Sequence, residues 1–130
     1  EPSYITDKFN TEDPSAVISK SALGIYPPSA TCIRAHNLYE SIFGSIIGDD
    51  AMETKSGVLI AGGITPKILT KLDPESSPFA TAYFDRDLPN FVELAKTLPV
   101  MVILDDLIGL RGATEVAKPV NSGKYVFVSA

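Results

Sequence analysis

Residues Val58-Leu59-Ile60-Ala61 form a short, near-continuous apolar run that ends abruptly in Gly62-Gly63, and Ile64-Thr65-Pro66-Lys67 follows at once. Such a run reads as a strand buried on both faces, typical of a parallel sheet. Parallel strands require crossover connections, so the chain must return over the sheet before a second strand pairs with the first. The two glycines permit unusual backbone angles and leave the main chain bare. Thr65 suits a helix N-cap and Pro66 the first helical position. Strand, bare turn and helix start thus stand in direct succession, and ligands in open α/β sheets bind at the carboxyl ends of such strands. The same spacing fits a ligand-free strand-to-helix turn equally well. Neither the three-glycine dinucleotide fingerprint nor a Gly-Lys-Ser/Thr phosphate loop is present.

The segments around this run predict an α/β layer fold. Residues Glu1 to Thr11 are polar and aperiodic and read as a loop. Asp13 and Pro14 open a helix whose apolar side is Val17, Ile18 and Leu23, and Gly24 to Pro28 ends it. From Ser29 a long helix is expected to bury Cys32, Ala35, Tyr39, Phe43 and Ile46, flanked by Ile33, Leu38, Ile42 and Ile47. That stripe is wide enough to imply a central, mostly covered helix ending near Gly48 or later. Asp49 to Gly57 is a polar linker or helix tail. After the glycine turn come a helix over Pro66 to Leu72 with Ile68 and Leu69 inward, a turn to Ser77, a short helix over Phe79 to Phe84, and a helix over Leu88 to Leu98 with Asp87 as cap. Pro99 starts a second strand to Leu104, Asp105-Asp106 ends it, and a last helix covers Leu107 to Ala117. Lys124 to Val128 alternates as an edge strand or a disordered end. Two or three strands make a small sheet for such a domain. The chain is therefore expected to be part of a larger unit or to pair with another copy.

Composition narrows the function classes. The chain has 130 residues, 45% of them apolar, enough for one core and one domain. A net charge of −5 without a basic stripe argues against nucleic acid as a partner. No apolar run approaches bilayer length, and Glu1-Pro2-Ser3-Tyr4 lacks the pattern of a secretion signal. The lone Cys32 forms no internal disulfide, and a cytoplasmic location is expected. The first residues read as the middle of something longer.

Other candidate residues have structural readings of their own. Asp105-Asp106 at a strand's carboxyl end suits a hydrated magnesium ion, but also helix capping, which such residues favour. His36 is the only histidine, with no second one to share a metal and no nucleophile elbow to serve. It follows the expected inward Ala35 and is placed at a boundary. Lys67 has the reach for a phosphate or for solvent. Gly109, Gly112 and Ala113 suit close packing of the last helix.

The stretch from Gly57 to Lys67, Gly-Val-Leu-Ile-Ala-Gly-Gly-Ile-Thr-Pro-Lys, resembles the adenosine-side motif of bacterial-type glucokinases. The likeness extends from Asp13 to Ala117: to Ile18–Leu23, the helix from Cys32 to Gly48, Phe79–Asp85, Leu98–Ile103 and Gly109–Ala113. It implies ATP-dependent phosphorylation of glucose at its 6-hydroxyl, with an aspartate as general base and magnesium on the phosphates. It implies a partial ribonuclease-H-like (actin-like ATPase) domain, with a short, mostly parallel sheet flanked by helices. Residues 1–130 would be one fragment from the C-terminal part of the large domain, with the tail from 120 to 130 unassigned. The family's phosphate loop, its catalytic Asn-Asp segment and its sugar-binding Glu-Gly-Gly-His segment do not occur in this sequence. The resemblance thus implies nucleotide contacts at Gly62, Gly63, Ile64 and Thr65. It implies no catalytic residue and no metal ligand here, with ATP and magnesium as cofactors and the metal held mainly elsewhere. ATP or ADP is the expected partner, glucose reaches the missing N-terminal part, and a homodimer is possible. The alternative is a non-catalytic module, a pseudokinase remnant or dimerising scaffold. An oxidoreductase piece fits poorly, because the glycine fingerprint is incomplete.

Overall fold

The computed structural model describes residues 2–68 and 76–121. The elements are α1 (Ser3–Phe9), α2 (Pro14–Ala22), α3 (Ala30–Thr54), β1 (Val58–Ile60), α4 (Thr65–Ile68), α5 (Pro78–Phe84), α6 (Pro89–Thr97), β2 (Val100–Val102) and α7 (Ile108–Asn121). This is a helix-rich α/β arrangement around a two-stranded parallel sheet. Among the described residues no helix is long and apolar enough to cross a membrane.

Helix α1 replaces the expected loop. It has no side-chain cap and one buried residue, Ile5. That side chain is fully enclosed with Val17 and Cys32, and Tyr4, Ile18 and Tyr26 pack around it. One anchored turn against α2 stabilises a helix that local periodicity does not announce. Helix α2 begins as its sequence dictates. Asp13 accepts a hydrogen bond from Ser15 N–H at 3.0 Å and Pro14 occupies the first turn. Gly24, at φ 71°, turns the chain out of it.

Helix α3 is the spine, and its buried face differs from the expected one. Ser29 caps it and it runs through Asp49-Asp50 to Thr54. The buried line is Cys32, His36, Glu40, Gly44, Ile47, Gly48 and Ala51. Leu38, Tyr39, Ile42 and Ile46 are exposed, as is Ala35. The reason is steric. A methyl on Gly44 would overlap the backbone of Phe79, and one on Gly48 would overlap the Arg86 guanidinium. The two glycines let α5 lie directly on α3, which rotates the inward face away from the largest apolar side chains. Arg86 ties the contact, donating to the Tyr83 carbonyl at 2.9 Å and pairing with Asp49. An aromatic series, Tyr39, Phe43, Phe79, Tyr83 and Phe84, continues along the junction with centroid spacings of 5.9, 5.7, 6.2 and 4.9 Å.

The second core gathers Ile47, Ala51, Ile60, Tyr83 and Ala95 beneath the sheet. Val58, Leu59 and Ile60 pair in parallel with Val100, Met101 and Val102, as the apolar runs predict. The strands are not buried on both faces, however. Leu59 is 60% and Met101 52% exposed, and these register partners share the open face. Helix α5 starts at Pro78 with Ser77 capping Ala80 N–H at 3.1 Å. Helix α6 has Leu88 rather than Asp87 at its cap position and no side-chain cap. Helix α7 is exposed along its length from Gly109 to Lys118, and a methyl on Gly109 or Gly112 would meet nothing within 4 Å. The close packing expected from its small residues is absent among the described residues. The expected helix positions Leu69 to Leu72, most of the turn before Ser77, and the alternating tail from Lys124 lie outside them.

Candidate functional site

Because β1 and β2 are parallel and in register, their carboxyl ends open on the same edge of the sheet. Gly62-Gly63 leaves β1 there, and Asp105-Asp106 leaves β2 beside it. A methyl on Gly63 would meet only the Cβ of Asp106, at 3.9 Å, and one on Gly62 would meet nothing within 4 Å. The turn therefore offers bare backbone with free space over it. Gly62 has φ 125°, a conformation that L side chains rarely adopt, so glycine is required there by geometry.

The four expected contact residues diverge from this point. Gly62 and Gly63 are half-buried in the turn. Ile64 is 61% exposed and turns outward, whereas Thr65 is only 5% exposed and turns inward. Thr65 is the first residue of α4 rather than its cap, and lines an interior space of about 270 Å³ with Tyr83, Ala95 and Val102.

The two aspartates separate in role. Asp105 accepts from Leu107 N–H at 3.0 Å and pairs with Arg111 Nε at 3.0 Å, so it caps the turn into α7. Asp106 is exposed and, among the described residues, has neither a hydrogen bond nor an ion pair. Among those residues no group of three or more His, Cys, Asp or Glu side chains is arranged to hold a metal ion. One free carboxylate is too small a donor set to hold magnesium by itself, since the ion wants six oxygens.

On its outer side Ile64 borders a cavity of about 630 Å³ between α2, α3 and α4. His36 lies on its wall. The imidazole is buried, 7% exposed, rather than at a boundary, and the carboxyl of Glu40 one turn on is 4% exposed. Nε2 lies 3.1 Å from Glu40 Oε1, a close ion-pair contact whose angle departs from that of a well-formed hydrogen bond. Burial raises the Glu40 pKa, and the neighbouring His36 only partly offsets it. The i,i+4 spacing of His36 and Glu40 was a legible signal for this pair. An apolar template passes over it, because it places Ala35 and Tyr39 inside.

A second charged cluster holds Lys20 of the cavity wall. Glu12 accepts from Lys20 at 2.8 Å, Lys8 at 2.7 Å and the Tyr26 hydroxyl at 2.9 Å, and these donors lower its pKa to about 2. Both ammonium groups also stand over the Tyr26 ring, at 4.9 and 5.1 Å from its centroid.

The family model described as Glucokinase matches residues 4–120. The chain belongs to the glucokinase family. It is 31% identical over 105 residues to a glucokinase of Synechocystis sp., covering 79% of this chain and 28% of that protein. With a Shigella flexneri glucokinase it shares 37% identity over 84 residues, 63% of this chain and 25% of the relative. A Nitrobacter hamburgensis glucokinase is 29% identical over 101 residues, 76% and 29% respectively. This glucokinase-family chain thus spans between a quarter and a third of the length of these relatives. No solved structure matches it.

Proposed function

We propose that this chain supplies the adenosine-binding side of a glucokinase-type sugar kinase that uses ATP to phosphorylate glucose. The reading assigns the chain to the C-terminal part of a ribonuclease-H-like large domain, working in the cytoplasm. The observation that carries it is the Gly62-Gly63 turn, with Gly62 at φ 125° and open space above it, at the shared carboxyl edge of two parallel strands. Bare backbone at that edge lets a flat, polar ligand approach the main chain closely. Ile64 supplies apolar contact, and Thr65 anchors the turn from inside. Magnesium would neutralise phosphate charge when bound. The residues present do not hold it alone, so its remaining ligands belong outside this chain. The same holds for the general base toward the sugar hydroxyl.

The division of labour is testable directly. In a coupled assay the isolated chain is expected to give no glucose 6-phosphate at any ATP concentration. Turnover by the chain alone overturns the assignment of the chemistry to other segments.

A second reading, a non-catalytic module, draws on the open face of Leu59 and Met101. Parallel sheets are normally covered on both faces. In this reading a second copy of the chain covers that face. A chain that stays monomeric in analytical ultracentrifugation counts against it.

A further inference from the structure

We propose that the exposed face of α3 is a self-association surface, on which a second copy of this chain packs its own α3 antiparallel, with the two-fold axis at Ile42. The inference goes beyond the readings above. It does not depend on nucleotide binding, and it engages a different face from that of Leu59 and Met101.

The surface is one row of the helix. Every fourth residue along it reads Arg34, Leu38, Ile42, Ile46, Asp50. Leu38, Ile42 and Ile46 are each more than half exposed, and Arg34 and Asp50 close the row at its two ends, exposed as well. Single apolar residues on a surface are ordinary, but three successive members of one row make a contiguous strip. Rows of this spacing are the ridges that interdigitate in the commonest class of helix packing. Ala35 and Ser45 beside the row are small and exposed, so a neighbouring helix can come close. Gly44 and Gly48 explain why the strip is open, because they turn the opposite face of α3 toward α5 and Arg86.

Charge decides the occupant. The Arg34 guanidinium and the Asp50 carboxylate have neither a hydrogen bond nor an ion pair among the described residues. They stand about 24 Å apart along the helix, too far to meet within one copy. Around Ile42 the row complements its own reversal, with cation against anion at both ends and aliphatic against aliphatic between them. A second α3 laid antiparallel sets each Arg34 beside the Asp50 of the other copy. It also sets Leu38 against Ile46 twice and Ile42 against its symmetry mate, the isologous pattern of a two-fold dimer. A parallel arrangement would instead bring Asp49, Asp50 and Glu53, all exposed at the same end of α3, against the same three carboxylates. One helix face gives a small interface, so the dimer is weak and depends on concentration.

The test is sedimentation velocity of the full chain from micromolar to millimolar concentration. The unmodified chain is expected to show a reversible monomer–dimer equilibrium. Arg34→Glu and Asp50→Arg are each expected to weaken it about tenfold, since each reverses two symmetry-related pairs. Both positions are exposed and unpaired, so neither change disturbs the folded chain. Mixing the two variants is expected to restore dimers to the unmodified level, as is the chain carrying both changes, because each then meets its opposite charge again. Ile42→Asp is expected to abolish the dimer and Leu59→Asp to leave it unchanged. A chain that stays monomeric throughout overturns the inference. So does a dimer lost in Leu59→Asp but kept in Ile42→Asp, which places the second copy on the sheet instead. Failure of the mixed variants to recover overturns the antiparallel pairing. None of these outcomes bears on nucleotide binding at Gly62-Gly63.

Discussion

Gly63 and Asp106 face each other across the ends of two parallel strands, close enough that a methyl on the glycine would touch the aspartate's Cβ at 3.9 Å. The contact joins the residue that leaves β1 bare to the one carboxylate at this edge with no partner among the described residues. It defines the edge as a site with open backbone on one side and uncommitted charge on the other. The two glycines of the turn differ in what they tolerate, and that difference is measurable.

Gly62→Ala forces a side chain onto φ 125° and is expected to destabilise the chain by about 1–3 kcal/mol. Gly63→Ala meets only an ordinary contact and is expected to change stability by less than about 0.5 kcal/mol. Urea denaturation of both variants checks this. Equal losses would show that the backbone angle at Gly62 is not the determinant.

Gly44→Ala places a methyl into the Phe79 carbonyl, where backbone must move to admit it. The expected loss is of order 1–3 kcal/mol, as for overpacked cores, with the near-ultraviolet signal of the Tyr39 to Phe84 aromatic series changed as well. Gly109→Ala on the exposed α7 is the control, expected neutral to slightly stabilising because alanine favours helix.

The pH dependence turns on Glu12. Its folded pKa of about 2 lies below the ordinary 4.5 because Lys20, Lys8 and Tyr26 donate to the carboxylate. A group depressed by folding stabilises fully above its unfolded pKa, and that contribution is lost as the pH falls through the folded value. Unmodified chain is therefore expected to exceed Glu12→Gln in denaturation midpoint at pH 7, with the gap closing between pH 4.5 and 2. A gap that persists at pH 2 contradicts this role.

The two aspartates at the end of β2 separate in the same way. Asp105→Ala removes a cap and an ion pair and is expected to loosen the start of α7 by about 1 kcal/mol, read as faster amide exchange at Leu107. Asp106→Ala removes no contact among the described residues and is expected to leave that exchange unchanged.

What the sequence made legible was local. The Asp13-Pro14 helix start, the apolar runs of β1 and β2, and the turn between strand and helix each depend on neighbouring residues, and each reads directly from them. Family membership was likewise readable from the order of these segments. The orientation of α3 was not, because Gly44 and Gly48 set it by admitting α5, while His36 and Glu40 are buried as a pair rather than as apolar residues. Leu38, Tyr39, Ile42 and Ile46 satisfied every periodicity rule and still face outward. Helix α1 escaped notice because one residue, Ile5, anchors it to partners far along the chain. The cavity escaped for the same reason, since its walls come from helices separated in sequence.

The central claim is that the Gly62-Gly63 turn docks a nucleotide. Its most direct measurement is the amide spectrum of the labelled chain titrated with ATP. The account predicts saturable shifts concentrated at Gly62, Gly63 and Ile64, with millimolar or tighter affinity (at least about 4 kcal/mol of binding energy). A spectrum in which those amides stay still at saturating ATP would contradict it.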